Sequence, residues 1–205
     1  MEAKQNKVQF GLSDAHYAKS TYNSSTKTYT YAEPKPYPGM VNLNLPAEVA
    51  EIIKYADNIA YYRNVKNNGF NGDLETVFVP DDFKIDIQGA ERDETSGDIL
   101  ENSDALSSEF AFLFRVNGDP YDRKFVLYRC TAGRPAIAAK TTEENIDIPN
   151  QTMSLAAMPR ENDHYIVRSC YKGSPNYDDW FSAVVEPTAE GQANTSNSNE
   201  QTGNG

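Results

Sequence analysis

The sequence predicts a mainly β domain, a β-sandwich or open barrel with one short flanking α-helix. Three observations carry this expectation. Apolar and polar residues alternate with a period of two in run after run. Gly, Pro, Asn and Asp recur between those runs at the spacing of turns. Only the segment just after Val79 combines a helix start signal with helical spacing. A chain of 205 residues fits one domain with a tail and is long enough to bury a real core.

In order, residues 8–19 (VQFGLSDAHYAK) have the apolar content of a first strand or an ordered amino-terminal arm, interrupted at Gly11. TKTYTY at 26–31 has strand character, bounded by Glu33-Pro34 and the turn signal Pro36-Tyr37-Pro38-Gly39. In residues 40–45, Val41, Leu43 and Leu45 fall on one side and Asn42 and Asn44 on the other, which predicts a strand with one wet face. The Ala, Glu and Ile content of residues 46–55 suits a short helix. Tyr55, Tyr61 and Tyr62 sit in polar surroundings where a core role is strained. Their rings, each with a polar tip, suit a protein interface or a sugar-binding face, and strand propensity is the plainer account.

Residues 70–79 form the strand around which the chain is organised. Phe70, Gly72, Leu74, Thr76 and Phe78 share one face; Asn71, Asp73, Glu75, Val77 and Val79 share the other, which begins acidic and wet. Asn68-Gly69 and Asn71-Gly72 supply positive-φ positions for turns and bulges. Pro80 lacks the N–H a ladder needs, and its fixed φ suits the first turn of a helix. Asp81 and Asp82 favour the positive end of that helix, Phe83 and Ile87 share its face, and Gly89 stops it.

Residues 90–109 carry seven acidic residues against Arg92 alone and read as a solvated surface loop. The strongest β signal follows. Phe110, Phe112, Phe114 and Val116 oppose Ala111 and Leu113, and the turn Asn117-Gly118-Asp119-Pro120 leads into residues 124–131, with Phe125 and Leu127 opposite Val126 and Tyr128. Both faces are largely apolar, so this pair is expected at the centre, packed on two sides. Arg134-Pro135 kinks the chain before a continuation over 136–140; residues 151–157 and 164–170 are further strands, and 177–185 is a short helix or strand end. From Glu186 to Gly205 the chain is Gly, Asn, Ser, Thr and Gln rich and is expected to be a disordered tail.

The net charge of −11 argues against tight nucleic-acid binding, which is driven by Lys and Arg neutralising phosphates; plain solubility explains it equally well. Residues 1–9 are too polar for a signal peptide, and no run approaches the roughly 20 apolar residues that span a bilayer. Synthesis in a cytoplasm is therefore expected, with Cys130 and Cys170 reduced and Cys130 acting as a small buried hydrophobe. No catalytic, cofactor or metal constellation emerges. His16 and His164 have no metal-ligand spacing and read as structural or surface histidines. The adjacent carboxylates Asp81-Asp82 and Asp178-Asp179 cannot converge across a cleft and fit helix starts. The run from Asp93 to Glu101 faintly resembles a calcium loop but lacks its middle acidic ligand and its spacing.

Three ordered pieces, YADNIAYY at 55–62, NNGFNGDLE at 67–75 and VPDDFKIDIQG at 79–89, resemble the major tail protein family of long-tailed, non-contractile bacteriophages of the phi-thirteen type. FAFLFRVNG at 110–118 and FVLYRCTAGRPAI at 125–137 are similar to that family's paired strands. The resemblance implies a tail tube domain over 1–185, with an amino-terminal arm at 1–20 and a long hairpin loop at 46–68 that reaches the neighbouring ring. It implies hexameric rings stacked into a hollow tube in the virion. It further implies passage of DNA through the lumen without specific binding, with the tape measure, tail terminator and baseplate proteins as partners. Tyr55, Asp57, Asn58, Tyr61 and Tyr62 are then candidates for contacts between subunits and rings, and Asn71, Asp73 and Glu75 for the lumen. Six copies together carry about −66, which would repel phosphate from such a bore. Two other readings stand beside it: a carbohydrate-binding β-sandwich module, and the tube subunit of a contractile injection system.

Overall fold

In the computed structural model, which describes residues 11–56, 58–137 and 149–187, nearly every regular element is a strand. β1 (Leu12–Asn23), β2 (Thr28–Tyr31), β3 (Lys35–Pro36), β4 (Met40–Asn44), β5 (Ala47–Ala56) and β6 (Ile59–Thr76) precede the helix α1 (Asp81–Asp86). β7 (Glu91–Arg92), β8 (Ile99–Leu100), β9 (Phe110–Val116), β10 (Lys124–Ala132), β11 (Gln151–Ala157) and β12 (Val167–Cys170) follow it. The fold is mainly β with minimal helix, as the sequence predicts.

One antiparallel sheet runs in the order β2-β1-β9-β10-β11-β6-β4, with β3 on β1, β5 on β6 and β12 on β10. β12 lies beside the first half of β10 and β11 beside its second half. β3 sits at the β1 edge and β4 at the β6 edge, and only residues 37–39 separate them. The sheet therefore curls towards closure as an open barrel. Tyr37 fills its interior, and its backbone N–H donates to the Ala15 carbonyl at 2.7 Å.

Two cores lie on opposite faces of the central strands. The first joins Tyr17, Phe110, Phe112 and Leu127 to Leu74, Met153 and Leu155, and is closed by Phe83 from α1 and Ile87 at its C-terminal cap. Tyr17, Tyr37 and Phe110 each meet the Phe83 ring edge-on, at 5.0 to 5.4 Å between centroids. The second core holds Ala18, Ala111, Leu113, Val126 and Tyr128 beneath Cys170, Tyr177 and Trp180. The alternation in β9 and β10 is thus realised on both faces, and the pair is central as expected.

The second core is roofed by residues 171–186, which run as successive turns, neither helix nor strand. Polar anchors hold this strap. Trp180 donates its indole N–H to the Phe125 carbonyl at 3.3 Å, and the buried Lys124 ammonium donates to the Tyr177 carbonyl at 2.7 Å and lies 4.0 Å from that ring. The His16 ring stacks on Phe181 at 4.8 Å. Tyr128 donates to the Val185 carbonyl, and the Arg160 guanidinium, among Tyr29, Tyr31 and Tyr128, pairs with Glu186 at 2.6 Å. Glu186, expected at the head of a disordered tail, is tied down instead; residues 188–205 lie outside the described residues.

Several local expectations are corrected. Residues 12–20, assigned to an arm, belong to β1 and pair with β9 and β3 inside the sheet. Residues 46–55 are strand, because pairing with β6 overrides their helix propensity. A bulge between Met40 and Asn42 expels Val41, so Met40, Leu43 and Leu45 pack on the core. β6 ends at Thr76, whose hydroxyl bonds to the Gly39 and Phe78 carbonyls; the period breaks there, exposing Phe78 and burying Val79. Ala136 and Ile137 form no strand, and 138–140 lie outside the described residues. β12 starts only at Val167, since His164 sits in a loop at φ 62.

Two glycines are required by close approach. A Cβ on Gly72 would lie 2.0 Å from the Asn44 carbonyl, where the β4–β5 chain crosses β6, and one on Gly69 would lie 2.3 Å from the Ala157 carbonyl. Gly69 also has φ +130 at a bulge beside Asn68, as its turn signal predicts.

Burial disfavours the phenolate and raises the pKa of six tyrosines, Tyr17, Tyr29, Tyr31, Tyr37, Tyr128 and Tyr177. Tyr128 and Tyr177 are pushed up to about 12 by burial, aided at Tyr177 by its hydrogen bond to Asp122. A raised folded-state value stabilises the fold fully below the ordinary tyrosine value of 10.0 and progressively less as pH rises towards 12. The fold is expected to unfold cooperatively in that alkaline window. Near-ultraviolet circular dichroism should show tertiary signal lost together with the appearance of tyrosinate; gradual titration of these phenols in an intact fold would contradict the packing.

Candidate assembly surface

Among the described residues, 47–56 and 58–68 of the β5–β6 hairpin pack on neither core, while Phe70 and Leu74 at the end of β6 join the first. Ten residues of β5 pair in antiparallel register with β6, from Ala47 opposite Phe70 to Ala56 opposite Ile59. At about 3.3 Å per residue the arm extends on the order of 30 Å. Bulges opposite Glu48–Val49 and Lys54–Tyr55 adjust its twist. Such a two-stranded arm is marginal in water, yet it carries Val49, Ile52, Ile53, Tyr55, Ile59, Tyr61, Tyr62 and Val65 exposed. Tyr61 is 75% exposed and Tyr55 67%. β5 has only β6 as a strand neighbour among the described residues, so its outer edge is open.

The predicted contact residues sit here. Tyr55, Tyr61 and Tyr62 lie on the arm, Asn58 takes φ 62 at its tip, and Asp57 lies outside the described residues. Sequence reasoning missed the aliphatic residues Val49, Ile52, Ile53 and Val65. The signal of the first three was present in EVAEIIKY at 48–55, but helix propensity obscured it.

Register divides the arm into two faces. Val49, Glu51, Ile53, Tyr55, Arg63 and Val65 share one, where Arg63 pairs with Glu51. Ile52, Lys54, Tyr62, Asn64 and Lys66 share the other.

At the base of the arm, Asn71, Asp73 and Glu75 point away from the first core, with Asn71 and Asp73 exposed and Glu75 half-buried. Their cross-strand neighbours are polar: Ser154 and Asn44 flank Asp73, and Thr152 and Asn42 flank Glu75. The Asn71 amide donates to Glu48 at 3.1 Å. The three candidates therefore share one acidic, wet sheet face, without an ion-pair partner for Asp73 or Glu75 among the described residues.

Elsewhere the chemistry is structural. Among the described residues no group of three His, Cys, Asp or Glu is placed to hold a metal ion. The carboxylate of Asp93 accepts the backbone N–H groups of Ser96 and Thr95, which hold it below its usual value, and so serves its own turn. Cys130 and Cys170 are free thiols, and burial raises both. An open cleft of about 310 Å³ between β1 and the 36–40 turn is lined by Leu12, His16, Tyr37, Pro38 and Met40, with Asp14 its lone carboxylate. No helix among the described residues is long and apolar enough to cross a membrane.

No family model matches the chain, and no curated protein matches it. Solved structures to which it is similar include the PVC sheath/tube terminator of an extracellular contractile injection system in the extended state. The identity there is 11%, covering 77% of this chain and 93% of that one, with a TM-score of 0.35. A second is the anti-feeding prophage cap, a tube-terminating cap, at 11% identity, 83% and 98% coverage and a TM-score of 0.35.

Proposed function

We propose that this protein is a non-catalytic structural subunit that assembles with copies of itself into the tube of a phage tail or of a related injection machine. The observation that carries the reading is the β5–β6 arm, whose apolar residues are exposed and whose outer edge is unpaired. A monomer gains nothing from such an element, whereas a repeating heterologous contact covers it in every copy and builds a filament. The family resemblance of residues 54–89 supports the same reading. Stacked hexameric rings, a bore lined by Asn71, Asp73 and Glu75, and contacts to length-setting and end-capping proteins are its finer content. A bore of that sign lets DNA slide without sticking.

Negative-stain microscopy of the purified protein, concentrated over a range of salt, tests it. Rings or tubes are the expected result. Monomers under every condition, or monomers that bind glycans, overturn it. Recovery of the native assembly distinguishes the two kinds of machine, since a contractile one carries a sheath around its tube.

A further inference from the structure

We infer that the lysine-bearing face of the β5–β6 arm docks on a second copy of this chain, at the acidic segment 91–106. The inference rests on the self-assembly reading and adds to it which two surfaces meet.

The two faces of the arm differ in charge. On the first, Arg63 and Glu51 neutralise one another beside Val49, Ile53, Tyr55 and Val65. The second has Lys54 and Lys66 flanking Ile52 and Tyr62, its carboxylate Glu48 lies at the base and accepts the Asn71 amide, and neither lysine has an ion pair among the described residues. An apolar patch rimmed by lysines is matched by an apolar seat rimmed by carboxylates. The chain carries such a seat. Leu100 and Leu106 are exposed, Leu106 at 89%, within a segment holding Glu91, Glu94, Asp98 and Asp104. β7 and β8 pair Glu91 with Leu100, fixing an acid beside a leucine. Arg92, the segment's single base, is turned to the Gly97 carbonyl, and Glu101 faces Arg134. The acidic surface around Asp73 and Glu75 has only polar cross-strand neighbours and offers an apolar patch nothing. Both the lysine face and the acidic seat are exposed within one chain, so each is covered by another copy.

Charge reversal tests this. Lys54→Glu with Lys66→Glu, and separately Glu91→Lys with Glu94→Lys, change exposed side chains, and circular dichroism checks that each variant folds. Sedimentation is expected to show each variant associating at least about tenfold more weakly than wild type, with wild-type association itself weakening between about 50 and 500 mM salt as charges are screened. An equimolar mixture of the two variants should regain association, because each reversed arm then meets a reversed seat. Wild-type association by K54E/K66E overturns the inference and leaves self-assembly standing. Weak association by both variants without recovery in the mixture overturns the acidic seat. A wild-type protein that stays monomeric removes the assembly reading and this inference with it.

Discussion

Replacing residues 50–66 by an Asn-Gly turn, which joins the paired residues Val49 and Asn67, is expected to yield a folded monomer that no longer assembles. Neither core contains a residue of that segment, so the monomer keeps its packing, and Asn-Gly suits a two-residue connection between paired strands. Assembly loses three exposed tyrosines and the aliphatic residues around them. Buried aromatic anchors are each worth about 2 kcal/mol or more at an interface. Losing two or more weakens association by at least about a thousandfold. Thermal unfolding monitors the monomer, and sedimentation with microscopy monitors assembly. Tubes formed as readily as by the wild type would show that the arm is not the joining element.

Trp180→Ala is expected to give the largest stability loss of a single change, about 3–5 kcal/mol. The ring is almost wholly buried beneath the strap, against a core of residues from β1, β9 and β10. Its removal leaves a cavity and frees the Phe125 carbonyl that its N–H satisfied. Because Trp180 is the single tryptophan, the variant must be followed by circular dichroism in denaturant, while wild-type fluorescence reports directly on the strap. A loss below about 1 kcal/mol would mean that residues 171–186 are not an integral roof. Tyr61→Ala, by contrast, alters an exposed ring and should change monomer stability by less than about 0.5 kcal/mol.

The parts of the fold legible in the sequence are those where local pattern and tertiary environment agree. β9 and β10 alternate between two apolar faces, and both are buried; α1 begins after Pro80, and Phe83 within it and Ile87 at its cap are both buried as their spacing predicts. What was hidden depends on partners remote in sequence. Helix-forming residues 48–54 are held as strand by pairing with β6, and a bulge at Val41 shifts which residues face inward. The strap has no periodicity, since its order comes from single anchors such as Lys124 to Tyr177 and Arg160 to Glu186. The tyrosines of the arm drew attention by their oddity, whereas its lysines and isoleucines became informative only once register sorted them onto two faces.

The pairing of β1 with β9, from Leu12 opposite Val116, and the late arrival of Trp180 have a bearing on biosynthesis. A nascent chain emerging from the ribosome can pair its first strand with β2 and β3 at once, but the β1–β9 ladder waits until residue 116 and the roof of the second core until residue 180. Folding dominated by such distant contacts is slow and must largely follow release. The exposed arm over 47–68 is thus made before β9 to β12 complete the body that presents it, and chaperones that shield emerging apolar segments should raise its yield in a heterologous host.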